Sequence, residues 1–186
     1  MEENIDIHIK GCLANEPRSQ ELLYRYCFMN LMKVSFRYHT NEADATASFN
    51  KAMHTVFYKL KTYRGDGPFL GWVRIILVNT CLNELRKVVK YLTKEINDED
   101  LKLQTIMPDA YHNISEKEIM ALVQALPKAT RLIFNLYVME GYTHIKIAEE
   151  LKIPIGTSKW HLNQARSVLK VKISMLSVKE NKIHAR

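Results

Sequence analysis

The chain has 186 residues, of which 47% are hydrophobic and 25% charged, with a formal net charge of +7. That length suits one large domain or two small ones, and the apolar content excludes wholesale disorder. No apolar run approaches the length of a membrane span, so membrane insertion is not expected.

Met1–Lys10 starts acidic and lacks an apolar signal core, so a cytoplasmic location is expected. Cys12, Cys27 and Cys81 are widely spaced, and the seven histidines show no ligand spacing. Neither a metal nor another cofactor is expected, and Cys27 and Cys81 read as small core residues in a reducing compartment. The charge is unevenly spread. Residues 1–91 carry 13 cations against 9 acids, residues 92–114 carry 2 against 5, and residues 115–186 carry 12 against 6. Two basic lobes thus flank an acidic connector, a distribution suited to a polyanionic partner.

A weak helical signal covers residues 5–13, with Gly11 and Asn15 as breakers. Pro17 opens a longer helix whose apolar positions Leu23, Cys27, Leu31, Val34 and Tyr38 run down one face. Asn41 caps a third helix with Phe49, Met53, Val56, Phe57 and Leu60 as its buried stripe. Lys61–Pro68, holding Gly65, Gly67 and Pro68, is a loop by composition. A fourth helix runs from about Phe69 to Tyr91, with Trp72 expected as a core anchor and Arg74, Arg86, Lys87 and Lys90 forming a basic face. Residues 92–114 lose periodicity and read as a flexible acidic linker.

Helical pattern returns at Ser115, which has capping-box spacing to Glu118, and Ile119, Leu122 and Val123 are expected to face inward. Pro127 starts another helix, with Leu132, Ile133, Leu136 and Tyr137 buried and Glu140-Gly141 ending it. Thr143 then caps a short helix carrying Ile147, Ala148 and Leu151, and Pro154 closes it and opens the next. Ser158, Leu162, Ala165 and Leu169 form a narrow inward stripe on that last helix. Its outward face would carry Thr157, Lys159, Trp160, His161, Asn163, Gln164 and Arg166, donors and cations that suit base edges and phosphates. Two short helices around a tight turn, with the small Ala148 at their crossing, read as a helix-turn-helix. Lys152 occupies the turn where glycine is common, and φ > 0 there would cost ~1 kcal/mol. Beyond Ile173 the chain is expected to fray, residues 177–186 forming a basic tail.

The fold class expected is therefore all-α, with helical domains at 1–91 and 115–176 joined by the linker. Three stretches, in this order, resemble bacterial RNA polymerase sigma factors of the sigma-70 family, extracytoplasmic-function type. They are Tyr63–Val73, Val78–Lys87, and the run from Ala125 to Lys159 containing Ala125-Leu126-Pro127, Ile147-Ala148-Glu149-Glu150-Leu151 and Gly156-Thr157-Ser158-Lys159. The resemblance implies a non-enzymatic initiation factor whose partners are core RNA polymerase (beta and beta-prime subunits) and promoter DNA. It implies that residues 1–91 correspond to region 2 and 115–176 to region 4.

On that resemblance, a flipped single-strand base of the −10 element would meet Arg64, Gly65, Asp66, Gly67 and Phe69, with Arg74, Asn79, Arg86 and Lys87 along the following helix. Phe69 would either wall the base pocket or staple the helix to the core. The −35 element would meet Thr157, Ser158, Lys159, Trp160, His161, Gln164 and Arg166 in the major groove. The acidic run Asp98–Asp100 would stand in for RNA on the polymerase. Ala47, Asn50 and Lys51 fall where the family usually presents an acid, then a Gln-Glu pair, to the polymerase clamp. Trp160 and His161 likewise replace a small polar residue and an arginine. These departures suggest a recruiting DNA-bound partner, beside an anti-sigma factor as a further possible partner. The competing reading is a stand-alone helix-turn-helix regulator with an N-terminal sensor or dimerisation bundle.

Overall fold

The computed structural model describes residues 5–92 and 115–183, with side chains described over 5–86 and 115–175. Among the described residues every regular element is helical, as expected of an all-α chain. The chain divides into two compact units, Met1–Glu84 and Leu85–Arg186. The expected linker at 92–114 lies almost wholly outside the described residues, as do the side chains of Lys87, Lys90 and the basic tail.

The first unit holds α1 (Ile5–Leu13), α2 (Pro17–Tyr38), α3 (Glu42–Lys59), a 3₁₀ turn (Leu60–Thr62) and most of α4 (Phe69–Leu92). Gly11 does not break α1 as expected, because the helix runs through it to Leu13. The glycine is there for packing: an added Cβ would collide with the Ser19 hydroxyl and come within 2.5 Å of a Glu16 carboxylate oxygen. Asn15, at φ 58°, makes the turn into α2. The α2 stripe Leu23, Cys27, Leu31, Val34 and Tyr38 is buried throughout. Asn41 caps α3 by accepting from the Asp44 amide at 2.8 Å, and the Ser35 hydroxyl donates to the Ala45 carbonyl at 2.7 Å, tying α2 to α3. Phe57 is only half-buried, and Ala52 takes the neighbouring core position.

The buried face of α4 is Phe69, Val73, Leu77, Val78, Cys81 and Leu82. Trp72 is therefore not a core anchor; it stands half-exposed one residue off that stripe, and Ile75 is 61% exposed. Burial pushes the Cys27 and Cys81 thiols up to about 12 and the Cys12 thiol up to about 11, so all three behave as small apolar residues.

The second unit holds α5 (Glu116–Gln124), α6 (Lys128–Phe134), a π-helical turn (Asn135–Met139), α7 (His144–Leu151) and α8 (Ile155–Ile183). Ser115 forms the expected capping box, its hydroxyl accepting from the Glu118 amide and the Glu118 carboxylate from the Ser115 amide. Val123 is fully buried, but Ile119 is 41% exposed because the α5 face it occupies lies outside the cluster of Val123, Leu126, Phe134, Leu162 and Ala165. Arg131, only 2% exposed, donates to the Gln124 carbonyl at 2.6 Å and so satisfies the end of α5. Gly141, at φ 69°, turns the chain out of the π-helical segment into α7. Helix α8 continues to Ile183, further than the fraying expected after Ile173.

Candidate nucleic-acid interface

The first unit has a cleft of about 430 Å³ at the entrance to α4, lined by Thr62, Tyr63, Arg64, Asp66, Gly67, Pro68, Gly71, Trp72 and Ile75. The loop holds its shape locally. Tyr63 donates from its hydroxyl to the Gly67 carbonyl at 2.6 Å, and Gly65 takes φ 79°, open to glycine without penalty. Pro68 then starts α4, its carbonyl accepting from the Trp72 amide at 3.2 Å.

Tyr63, Phe69 and Trp72 form a three-ring cluster with centroids 5.3–5.8 Å apart. Within it Phe69 takes the second of its two expected parts, and Trp72 departs from the core position expected of it. Phe69, 6% exposed, is the staple beneath the cleft, while Trp72 forms its wall with Tyr63. A π-surface of this size beside a guanidinium suits a stacked base and its phosphate. Arg64, Gly65, Asp66 and Gly67 are exposed around the cleft. Asn79 is exposed and Arg74 half-buried further along α4. Arg86 falls in the second unit, half-buried, with its guanidinium 3.0 Å from the Glu150 carboxylate.

Ala47, Asn50 and Lys51 are exposed together on the outer side of α3, as i, i+3, i+4 spacing requires. Asn50 accepts from the Tyr24 hydroxyl at 2.6 Å. Lys51 is not a lone cation: its ammonium lies 3.2 Å from one oxygen of Glu84 on α4. The other Glu84 oxygen accepts from the Ser48 hydroxyl, and Ser48 meets His39 Nε2 at 2.8 Å. Since the Ser48 proton goes to Glu84, His39 must donate to Ser48 Oγ. This serine, histidine and carboxylate are thus connected in the wrong order for a nucleophile: the histidine cannot take the serine proton. Their role is to tie α3 to α4 and to neutralise Lys51.

In the second unit Thr143 accepts from the Lys146 amide at 3.2 Å, opening α7, and Lys152 ends it in the left-handed region at φ 56°, ψ 49°, as the tight turn demanded. Helix α8 then presents Lys159, Asn163 and Arg166 on its exposed face, with Thr157, Trp160 and Gln164 half-buried at the flanks. Two expected contacts are not on that face. Ser158 is completely buried, consistent with the inward stripe, and accepts or donates at 2.9 Å to His144 Nδ1. His161 is 4% exposed and meets Thr130 Oγ1 of α6 at 2.9 Å. The physical reason is angular: at 100° per residue His161 sits beside the Leu162/Ala165/Ser158 stripe. Burial pulls its imidazole down to about 4, so the ring is neutral at physiological pH. His144 stacks on Tyr137 with centroids 4.5 Å apart, and burial, with Lys159 and Arg166 nearby, pulls it below the ordinary imidazole value. The two histidines thus help seat α8 on α6 and α7, His161 from a buried position and His144 from a half-buried one.

Residues 116–169 match the family model described as "Sigma-70, region 4". The chain is similar to the RNA polymerase sigma-H factor of Pseudomonas aeruginosa, 26% identical over 159 residues covering 80% of this chain and 81% of that one. It is 24% identical to the ECF RNA polymerase sigma factor SigM of Mycobacterium tuberculosis, across 84% of this chain and 78% of that one. The ECF RNA polymerase sigma-E factor of Escherichia coli is also 24% identical, across 72% and 75%. A looser likeness, with a TM-score of 0.47 at 18% identity over 84% of this chain and 95% of the other, is to the sigma factor RpoE crystallised with the anti-sigma factor NepR from Bartonella quintana.

Proposed function

We propose that this chain is a sigma factor of the extracytoplasmic-function branch of the sigma-70 family, that it binds core RNA polymerase, captures a flipped base of the opened −10 strand in the Tyr63/Trp72 cleft, and lays α8 in the −35 major groove. The observation that carries the reading is that cleft: an aromatic wall beside Arg64 and a glycine-bearing loop, set at the head of a long helix. A sensor or dimerisation bundle has no use for it. Catalysis in this scheme belongs to the polymerase, and the chain contributes binding and strand separation.

The docking surface on polymerase is the outer side of α3 around Ala47, Asn50 and Lys51. With Glu84 beside Lys51 that surface carries a balanced pair, so the repulsion expected of a lone lysine is offset. The −35 surface is the weaker partner, because His161 adds no charge to it. A recruiting partner bound at the promoter would supply what α8 lacks, and an anti-sigma factor is the expected regulator.

The test is anisotropy of a dye-labelled single-stranded oligonucleotide pool added to this chain in complex with core polymerase. Trp72→Ala should weaken binding roughly 5- to 150-fold, the ~1–3 kcal/mol of one stacked base. Unchanged binding would remove the base-capture role. Failure of the parent chain to hold core polymerase, together with duplex binding on its own, would favour the stand-alone regulator.

A further inference from the structure

On the promoter-recognition reading above, the outward face of α8 needs a residue that distinguishes bases, and the burial pattern narrows the choice. Ser158 and His161 are sealed inside, and Trp160 is half-buried with its ring edge-on to His161 at 4.8 Å. Tryptophan offers one donor and no acceptor, so it cannot make a paired contact with a base edge. Lys159 and Arg166 are exposed cations, suited to phosphates or to the paired acceptors of guanine. Between them on the same helical face stands Asn163, exposed, its amide without a hydrogen-bond partner among the described residues.

We infer that Asn163 is a specificity-determining residue of α8 and that it reads an adenine in the major groove. A carboxamide holds one acceptor and one donor side by side. Adenine presents the matching pair, N7 as acceptor and the N6 amine as donor. Guanine presents two acceptors, N7 and O6, which would leave the amide carbonyl facing an oxygen. The neighbouring cations set the register: Lys159 lies four residues before Asn163 and Arg166 three after, so all three reach the same groove while α8 lies along it.

The experiment uses the full chain in complex with core polymerase, selecting from a duplex library with a randomised upstream window, and compares the parent with Asn163→Ala and Asn163→Arg. In the parent one column of the selected motif should be adenine. Asn163→Ala should flatten that column alone, a loss of about 5- to 150-fold in preference. Asn163→Arg should convert the same column to guanine, which a merely solvated or phosphate-bound side chain would not do. A parent motif whose columns all survive Asn163→Ala, or a uniform fall in recovery without change of motif, overturns the inference while leaving promoter recognition standing. A parent that selects no upstream motif overturns both.

Discussion

Restoring an acid at position 51 should damage the first unit. Lys51→Glu would set a carboxylate where the ammonium now lies 3.2 Å from Glu84, whose other oxygen is already held by Ser48. Two unit charges 4 Å apart interact by roughly 1 kcal/mol in water and about 4 kcal/mol at the effective dielectric of a protein surface. The lysine side chain is 65% exposed and the glutamate 29%, which places the pair near the aqueous end. Losing the attraction and gaining the repulsion should together cost about 1–2 kcal/mol. For a unit of this size that is a fall in unfolding temperature of roughly 4–15 °C. Thermal unfolding of the full chain by circular dichroism at low salt measures it, and 1 M salt should shrink the effect because the Debye length drops to about 3 Å. Adding Glu84→Gln to Lys51→Glu should recover about half of the loss, because it removes the repulsion without restoring the attraction. If Lys51→Glu unfolds at the parent's temperature, or the loss is the same with Glu84→Gln present, the pairing argument is wrong. Any change in polymerase affinity of Lys51→Glu has to be read against this loss of stability.

Gly11→Ala should destabilise the α1–α2 packing by about 1–3 kcal/mol, since the new methyl meets Ser19 and Glu16; urea unfolding measures it, and a neutral result would mean α1 shifts freely. Lys152→Gly should stabilise the second unit by up to ~1 kcal/mol by relieving the left-handed strain, visible as a higher unfolding temperature. His161 makes stability depend on pH: folded, the imidazole titrates at about 4, below its ordinary value near 6.5, so the unfolded chain binds the proton more readily. Its stabilising contribution is full above about pH 6.5 and is lost as pH falls towards 4, to a limit of about 3 kcal/mol. His161→Asn should flatten that part of the curve, and an unaltered slope would mean another group is responsible.

Sequence legibility followed periodicity. The α2 stripe is legible because Leu23, Cys27, Leu31, Val34 and Tyr38 keep an unbroken helical spacing, although Leu22, Phe28 and Met29 put apolar groups on its exposed side, and Asn41, Ser115, Thr143 and Lys152 announce their caps and turn by local chemistry. Helix α4 is ambiguous in sequence because it is apolar on more than one side: Trp72, Ile75 and Ile76 suggest one face, while Phe69, Val73 and Leu77 form the buried one. The positions of the two aromatics follow from that shift. Histidine reads as polar, so the sequence puts His161 outside, and its partner Thr130 lies 31 residues away, with no local signal linking them. The Lys51–Glu84 pair likewise spans α3 and α4 and is invisible to helical spacing. Gly11 looks like a breaker in one dimension and a contact point in three.

On the proposed promoter-binding role, the inward turn of His161 has a consequence for how the second unit would find a site. Among the described residues of α8 it leaves Lys159 and Arg166 as the exposed cations, Lys170 and Lys172 being half-buried. Two phosphate contacts release few counterions, so the affinity of α8 for any duplex should fall only about with the square of salt concentration. A surface that attracts DNA so weakly spends little time on the wrong sequence, and has correspondingly little hold on the right one. In that role occupancy would depend on effective concentration: with polymerase and the first unit holding the promoter, α8 would need only to find its bases within reach, a local encounter in place of a search through the genome.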